Sequence, residues 1–374
     1  MTVVFTPIGY SGARLKPAAH HTPAMRILVD LTHPMHVHFF RHAIARWQQE
    51  GHTLCLTSRD KDITCALLDE FGLAHIRIGR GARRGPLGLA VELIERAWGL
   101  SRVVRRFRPD VAVAEAGTFL VYGCLPGRVP VVVFSDTEHA RLSNAITYPL
   151  ARAVITPRAY RQDVGHKHIR YDGYQQLAYT HPAYFTPDPS ALAAEGLRPG
   201  EPFIIVRLVN WGASHDVRDF GVRDLRQVIE ALSPYGRIVL SSEKPLPPDL
   251  QALALRGPRR AMLHLQAFAR LFFGESATMA AECALLGTPA IFLSTSRRGY
   301  IDELQARYDM VYSFNDPRTG QAQALDKARA LLADPDTPAR WRAKRQQMLA
   351  ELIDVTDFIA RTVPGYARAQ GERS

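Results

Sequence analysis

From Arg26 onward, short apolar runs alternate with longer segments whose apolar positions recur every three to four residues. Ile27–Leu31 predicts a strand, and Val37–Gln49 a helix carrying Val37, Phe40, Ile44 and Trp47 on one face. Leu54–Thr57, Ile63–Phe71 and His75–Ile78 repeat the pattern as strand, helix and strand. A Gly/Arg-rich loop at 79–88 then leads into a long helix over Leu89–Phe107. Strands follow at Val111–Ala114, Val131–Phe134 and Ala153–Ile155, with helical stretches near Phe119–Cys124 and Leu142–Leu150. β-α units of this length imply a parallel sheet covered on both faces.

Between Tyr171 and Pro202 the texture changes: five prolines (182, 187, 189, 199, 202) and few apolar runs read as a linker. A second β-α series then begins, with strands predicted at Phe203–Arg207, Arg237–Leu240, Leu271–Phe273, Ala290–Leu293 and Val311–Phe314. Its helices fall at Phe220–Leu232, Met262–Phe268 and after Gly274, and three more close the chain near Gln321–Ala333, Pro338–Leu352 and Thr356–Arg361. The expected division is an extension over 1–24, a Rossmann-like domain over 25–175, a linker over 176–201, a second Rossmann-like domain over 202–352, and a closing segment over 353–374 returning to the first domain. Two doubly wound parallel-sheet domains place ligands in the cleft between them, outside the carboxyl ends of the strands.

The stretch Gly274–Pro289, GESATMAAECALLGTP, reads as a tight turn, a helix and a closing glycine. Backbone amides at the helix start, with Gly274, Ser276 and Thr278, suit a phosphate. Glu282, four residues after Thr278, lies one turn along the same face, where its carboxylate can accept from ribose hydroxyls. An ordinary α/β crossover would show the same spacing.

The other strand-end loops hold the remaining candidate chemistry. His33, His36 and His38 follow the first strand, and histidine's ordinary pKa near ~6.5 suits a general base at neutral pH. Asp136, Glu138 and His139 follow the strand at Val131–Phe134, as acid/base or hydroxyl-binding groups; the competing reading makes Asp136 a helix cap. Arg207, Asn210, Trp211, Ser214 and His215 follow the first strand of the second half, where an arginine can grip phosphate. Arg298, in Ser294–Tyr300, would face the same cleft.

At 47% hydrophobic and 22% charged residues, the composition is that of a globular chain. Its four scattered cysteines form no CxxC pair and no zinc spacing, so no metal site is expected and a reducing cytoplasm fits. No apolar run approaches the roughly 18 residues of a membrane span. The net charge of +11 comes with arginine clusters at 80–84, 102–108, 256–260 and 340–345. No nucleic-acid motif accompanies them, so an anionic substrate, an anionic membrane face or simple solvated helices are the better readings. The absence of GxSxG, GxGxxG after the first strand, and GxxxxGK[ST] disfavours serine hydrolases, dehydrogenases and P-loop enzymes.

The stretches DLTHPMHVHFFRHAI, TSRDKDIT, FSDTEHA, RLVNWGASHD and GESATMAAECALLGTPAI, in this order, resemble the DUF354 family. That family looks like the GT-B superfamily, which includes UDP-glycosyltransferases and UDP-N-acetylglucosamine 2-epimerases. The resemblance implies a GT-B fold and a nucleotide-diphosphate sugar as co-substrate, with no resident cofactor. It places a catalytic base at His36, in Met35-His36-Val37, and a ribose-binding carboxylate at Glu282, five residues before Gly287. Where the superfamily turn has a glycine pair, this chain has Glu275-Ser276-Ala277, setting a negative charge near the expected phosphates. The implied activity is metal-independent glycosyl transfer from a UDP-linked donor to a glycan or lipid-linked acceptor, in the cytoplasm or at the inner face of the membrane. A 2-epimerase, or a non-catalytic sugar-binding protein of the same fold, is the alternative.

Overall fold

A computed structural model describes residues 23–60, 63–79, 85–209 and 221–367. The extension up to residue 22, the 80–84 arginine cluster, and Asn210, Trp211, Ser214 and His215 lie outside the described residues. The first half runs β1 (Arg26–Leu31), α1 (Pro34–Gln49), β2 (Thr53–Ser58), α2 (Thr64–Glu70), β3 (Ile76–Arg77) and α3 (Gly85–Phe107). It continues with β4 (Val111–Glu115), α4 (Thr118–Cys124), β5 (Val131–Phe134), α5 (Arg141–Thr147), β6 (Ala153–Pro157), β7 (His168–Tyr171) and α6 (Leu177–Thr180). The second half runs β8 (Phe203–Leu208), α7 (Leu225–Leu232), β9 (Arg237–Ser242), α8 (Met262–Phe268), β10 (Leu271–Gly274) and α9 (Ala277–Leu286). It ends with β11 (Ala290–Leu293), α10 (Gly299–Tyr308), β12 (Val311–Phe314), α11 (Gly320–Ala333), α12 (Thr337–Glu351) and α13 (Val355–Thr362).

The strands form two all-parallel sheets, ordered β3-β2-β1-β4-β5-β6-β7 and β12-β11-β10-β8-β9. Helices cover both faces, so the central strands are continuous apolar runs: β4, β5, β10 and β11 are buried throughout. In the first sheet the chain reverses its direction of travel between β1 and β4, and in the second between β8 and β10. Crossovers diverge at such a point and leave a crevice at the strands' carboxyl ends. The fold therefore marks the end of β1 with Glu115, and the end of β8 with Gly274–Ser276, before any side chain is considered.

α9 is the most enclosed helix of the second half, with every residue from Met279 to Leu286 buried. Its low polarity fits this position, since a helix apolar on all sides has no face for water. Ser276 caps its start by accepting from the Met279 amide, and Gly287, at φ +88°, ends it in the left-handed conformation glycine tolerates. At the other end of the chain, α13 packs on α1 and α6 of the first half. Trp47 Nε1 donates to Ala360 O at 3.0 Å, Arg46 pairs with Asp357 at 2.5 Å, and Thr356 Oγ1 donates to Ala178 O at 2.6 Å.

Beside the β1–β2 pair lies a fully buried ion pair, Arg96 with Asp30 at 3.1 Å. Thr57 Oγ1 donates to the same carboxylate at 2.8 Å, and Arg96 also donates to the carbonyls of Ser58 and Ile78. Removing one member strands the other charge in a dry interior. Arg96→Ala is expected to cost about 3–5 kcal/mol of unfolding free energy, read from the urea midpoint.

Candidate functional site

On the first-domain side, α1 starts immediately after β1, with His33 as its N-cap accepting from the Met35 amide at 3.2 Å. One turn on, His36 is buried and its Nε2 lies 2.5 Å from Glu115 Oε2, at the end of β4. The pair bridges the point where the first sheet reverses. Thr32 meets His36 Nδ1 through its amide at 3.4 Å and its hydroxyl at 3.3 Å, while Nε2 faces the Glu115 carboxylate. Both ring nitrogens are thereby engaged. After Glu115 the chain turns sharply through Ala116 (φ 60°) and Gly117 (φ 61°). The left-handed alanine is a strained conformation of the kind that gathers at functional sites.

Asp136, two residues past β5, stands beside this pair. Its carboxyl is pushed up to about 7, first by burial and then by the Glu115 charge, against the Thr137 hydroxyl and the charges of Arg298 and His36. Gln175, with its amide oriented to match donors with acceptors, donates to Asp136 Oδ2 and accepts from the Asp136 amide, both at 3.3 Å. Asp136 does not cap a helix: α5 starts at Arg141 behind Ala140. Glu138 is directed differently, accepting from the Arg161 amide at 2.8 Å and packing against Gly299 of the second domain. His139 is exposed beyond it.

His38 lies outside the Asp136 group, its ring tilted on Tyr179 at 5.3 Å and edge-on to Phe71 at 5.7 Å. Burial, then the Arg41 charge, lowers its pKa to about 3, so it is neutral at physiological pH. Its Nδ1 is buried with no hydrogen-bond partner among the described residues.

On the second-domain side, Gly274 is aligned with Arg207 between β10 and β8. A Cβ at position 274 would lie 2.5 Å from the Arg207 carbonyl oxygen, so only glycine lets the strands pair this closely. Arg207 donates to Ser241 Oγ at 2.9 Å and pairs with Glu243. At the start of α9 the amides of Ala277 and Thr278 meet no acceptor among the described residues, while Met279's is taken by Ser276. The Thr278 hydroxyl lies near the Tyr300 hydroxyl of α10.

Glu275 corrects an expectation. Its carboxylate accepts from the amides of Val209 and Val222, each at 2.7 Å. Those two donors absorb the charge that the sequence placed near the phosphates.

Glu282 is 8% exposed, and its carboxyl is raised by burial, against the Tyr179 and Gln266 hydrogen bonds and the Arg207 charge. Tyr179 donates to Oε1 at 2.7 Å and Gln266 Nε2 to Oε2 at 2.9 Å. Each carboxylate oxygen keeps a second lone pair, so the two donors orient the group without saturating it. Tyr179→Phe is expected to lower the melting temperature by a few degrees, since losing one donor to a buried carboxylate costs about 1–3 kcal/mol.

The two sides meet. Tyr300, buried on α10, feels the charges of both Asp136 and Glu282, as does Tyr179. Arg298, the N-cap of α10, bears on Asp136. Next to them is a groove of about 870 Å³, lined by Arg158, Tyr160, Arg161 and Arg170 of the first domain and by Arg297 and Asp302 of the second. Among the described residues, no three His, Cys, Asp or Glu side chains are grouped to hold a metal ion.

Sequence reasoning did not single out Glu115, Gln175, Tyr179, Gln266 or Tyr300. Glu115 had a readable signal: like Asp136, it is a carboxylate ending an apolar run. Tyr179 had none, because it lies in the proline-rich connection and its partner is 103 residues away.

Two facing parallel-sheet Rossmann-like domains, with sites at both reversal points, define the GT-B class of architecture. Solved structures agree. A putative UDP-N-acetylglucosamine 2-epimerase from Listeria monocytogenes superposes with TM-score 0.64 at 12% identity, over 90% of this chain and 95% of that one. The UDP-GlcNAc 2-epimerase of Neisseria meningitidis bound to UDP-GlcNAc gives 0.63 at 12% identity, over 90% and 99%. The spinosyn forosaminyltransferase SpnP gives 0.60 at 15% identity, over 92% and 100%. Within that architecture the chain belongs to the family described as protein of unknown function DUF354, whose model matches residues 25–363. It is also 28% identical, over 192 residues, to an uncharacterized protein of Methanocaldococcus jannaschii; the match spans 48% of this chain and 55% of that protein.

Proposed function

We propose that this protein is a glycosyltransferase whose donor is a nucleotide-diphosphate sugar, UDP-linked, and whose acceptor is a glycan or lipid-linked sugar. The observation that carries this reading is the opposition of Asp136, titrating at about 7, and Glu282 across one cleft with Tyr300 near both. The diphosphate sits at the start of α9, met by the amides of Ala277 and Thr278, by Ser276 and by Arg207, while Glu282 accepts from the ribose. An acceptor hydroxyl attacks the anomeric carbon, and its proton passes to Asp136. The bond from that carbon to phosphate breaks, its electron pair leaving with the nucleoside diphosphate. Arg207 and the helix amides meet that charge. His36 keeps Glu115 hydrogen-bonded, and the Glu115 charge keeps Asp136 basic enough to accept a proton near neutral pH. The arginine-lined groove, which reaches Arg297 and Gly299 on either side of Arg298, gives the acceptor room.

A second reading, nucleotide-sugar 2-epimerisation, is favoured by two carboxyls, Glu115 and Asp136, standing together, with Asp136 pushed up to about 7 by burial and the Glu115 charge. Incubation with UDP-sugars in the absence of acceptor separates the two. Transfer predicts an unchanged sugar until an acceptor is added, whereas a C2-inverted sugar formed without acceptor would establish the epimerase.

A further inference from the structure

The outer face of α3 is unexplained by the fold. Leu87, Val91, Ile94 and Trp98 follow at spacings of four, three and four, so they form one stripe along the helix. All are exposed, Leu87 by 85%, Ile94 by 69% and Trp98 by 61%. The opposite face is fully used: Arg96 is buried against Asp30, and Leu100 and Val104 belong to the core under the first sheet. An exposed apolar stripe of this regularity marks a surface that meets something other than water.

What it meets is indicated by charge and by position. The stripe runs into Arg102, Arg105, Arg106 and Arg108, all exposed, and Glu95 is the one exposed acid of the helix. The Arg102 guanidinium lies over the Trp98 ring at 4.6 Å, an apolar body under a cationic head as interfacial residues are arranged. α3 leaves the carboxyl end of β3, so its first turns stand at the cleft rim. α5 leaves the same rim after β5 and adds an exposed Arg141 and Leu142, the latter 79% exposed. A second copy of the chain fits less well. From position 87 to 98 a helix extends roughly 18 Å, and a strip about 10 Å wide covers roughly 200 Å². A stable dimer needs about 800 Å² per partner.

We propose that the outer face of α3, with Leu142, docks on an anionic lipid bilayer and sets the cleft mouth against the membrane surface. The arginines meet lipid phosphates while the stripe enters the headgroup boundary. The consequence for substrate, that the acceptor is carried on a lipid in that membrane, rests on the glycosyl-transfer reading; the docking itself does not.

The test is co-sedimentation of the full chain with vesicles of phosphatidylcholine alone, or of phosphatidylcholine mixed with phosphatidylglycerol. The expected result is binding to the mixed vesicles only, weakened by salt and reduced about tenfold or more by Ile94→Ser with Trp98→Ser. That double variant should keep its circular dichroism and its thermal response to nucleotide sugars, because neither residue is near the cleft groups. Absence of binding to anionic vesicles, or equal binding by the double variant, would overturn the proposal. So would a solution dimer that the double variant dissolves, which would make the face a self-interface. If vesicle binding holds while no sugar is transferred, the transferase reading fails and the docking surface stands.

Discussion

Asp136→Asn is expected to abolish turnover, lowering kcat by about a hundred- to ten-thousand-fold, the range for losing a general base. In the unaltered protein, the proposed activity should rise with pH through about 7 and level off above it, as Asp136 loses its proton. Stability should move the other way. Asp136's folded pKa, about 7, lies above its ordinary value of 3.8, because burial and the Glu115 charge penalise the ionised form. Its favourable contribution is therefore complete below the ordinary value and lost as pH rises through 7. The asparagine variant never ionises, so at pH 8 it should melt above the parent while remaining inactive, measured by thermal melts across pH beside activity assays. A merely structural Asp136 predicts instead a variant that melts lower at pH 8.

Glu282→Ala is expected to remove the rise in melting temperature that a bound nucleotide sugar produces. Carboxylate acceptance from two ribose hydroxyls is the interaction lost, and ligand-induced stabilisation falls with affinity. The substitution also leaves the Tyr179 hydroxyl and the Gln266 amide without their acceptor, so the ligand-free protein should melt lower too. Glu282→Gln separates the effects: it keeps an acceptor for one donor, should restore part of the melting temperature, and should still respond weakly to nucleotide. A full response in Glu282→Ala would place the ribose elsewhere.

The alternation of apolar runs and helical periods carried both sheets, because strands buried on two faces leave a signal that survives without an alignment. β7 was missed for the opposite reason: His168-Ile-Arg-Tyr171 is a half-polar edge strand next to the proline-rich connection. That connection also hid α6, whose buried Tyr179 and Ala178 tie the two halves together. Within the site, residues at the strand ends were legible from position alone, since reversal points place function there. What those residues do was less legible. His36 was expected as the base; it is held between Thr32 and Glu115, and beside it stands Asp136, pushed up to about 7 by burial and the Glu115 charge. Glu275 read as a charge against phosphate, yet it is satisfied by amides 66 and 53 residues away in sequence. Proton position and carboxylate direction are set by such distant partners, which no local pattern contains.

A crystal structure of the protein soaked with UDP would show whether the phosphates of a nucleotide diphosphate lie at the start of α9. The diphosphate is expected against the Ala277 and Thr278 amides and Arg207, with the ribose hydroxyls on Glu282. Density for the diphosphate instead in the groove of Arg158, Arg161, Arg170 and Arg297, with Glu282 untouched, would contradict that placement.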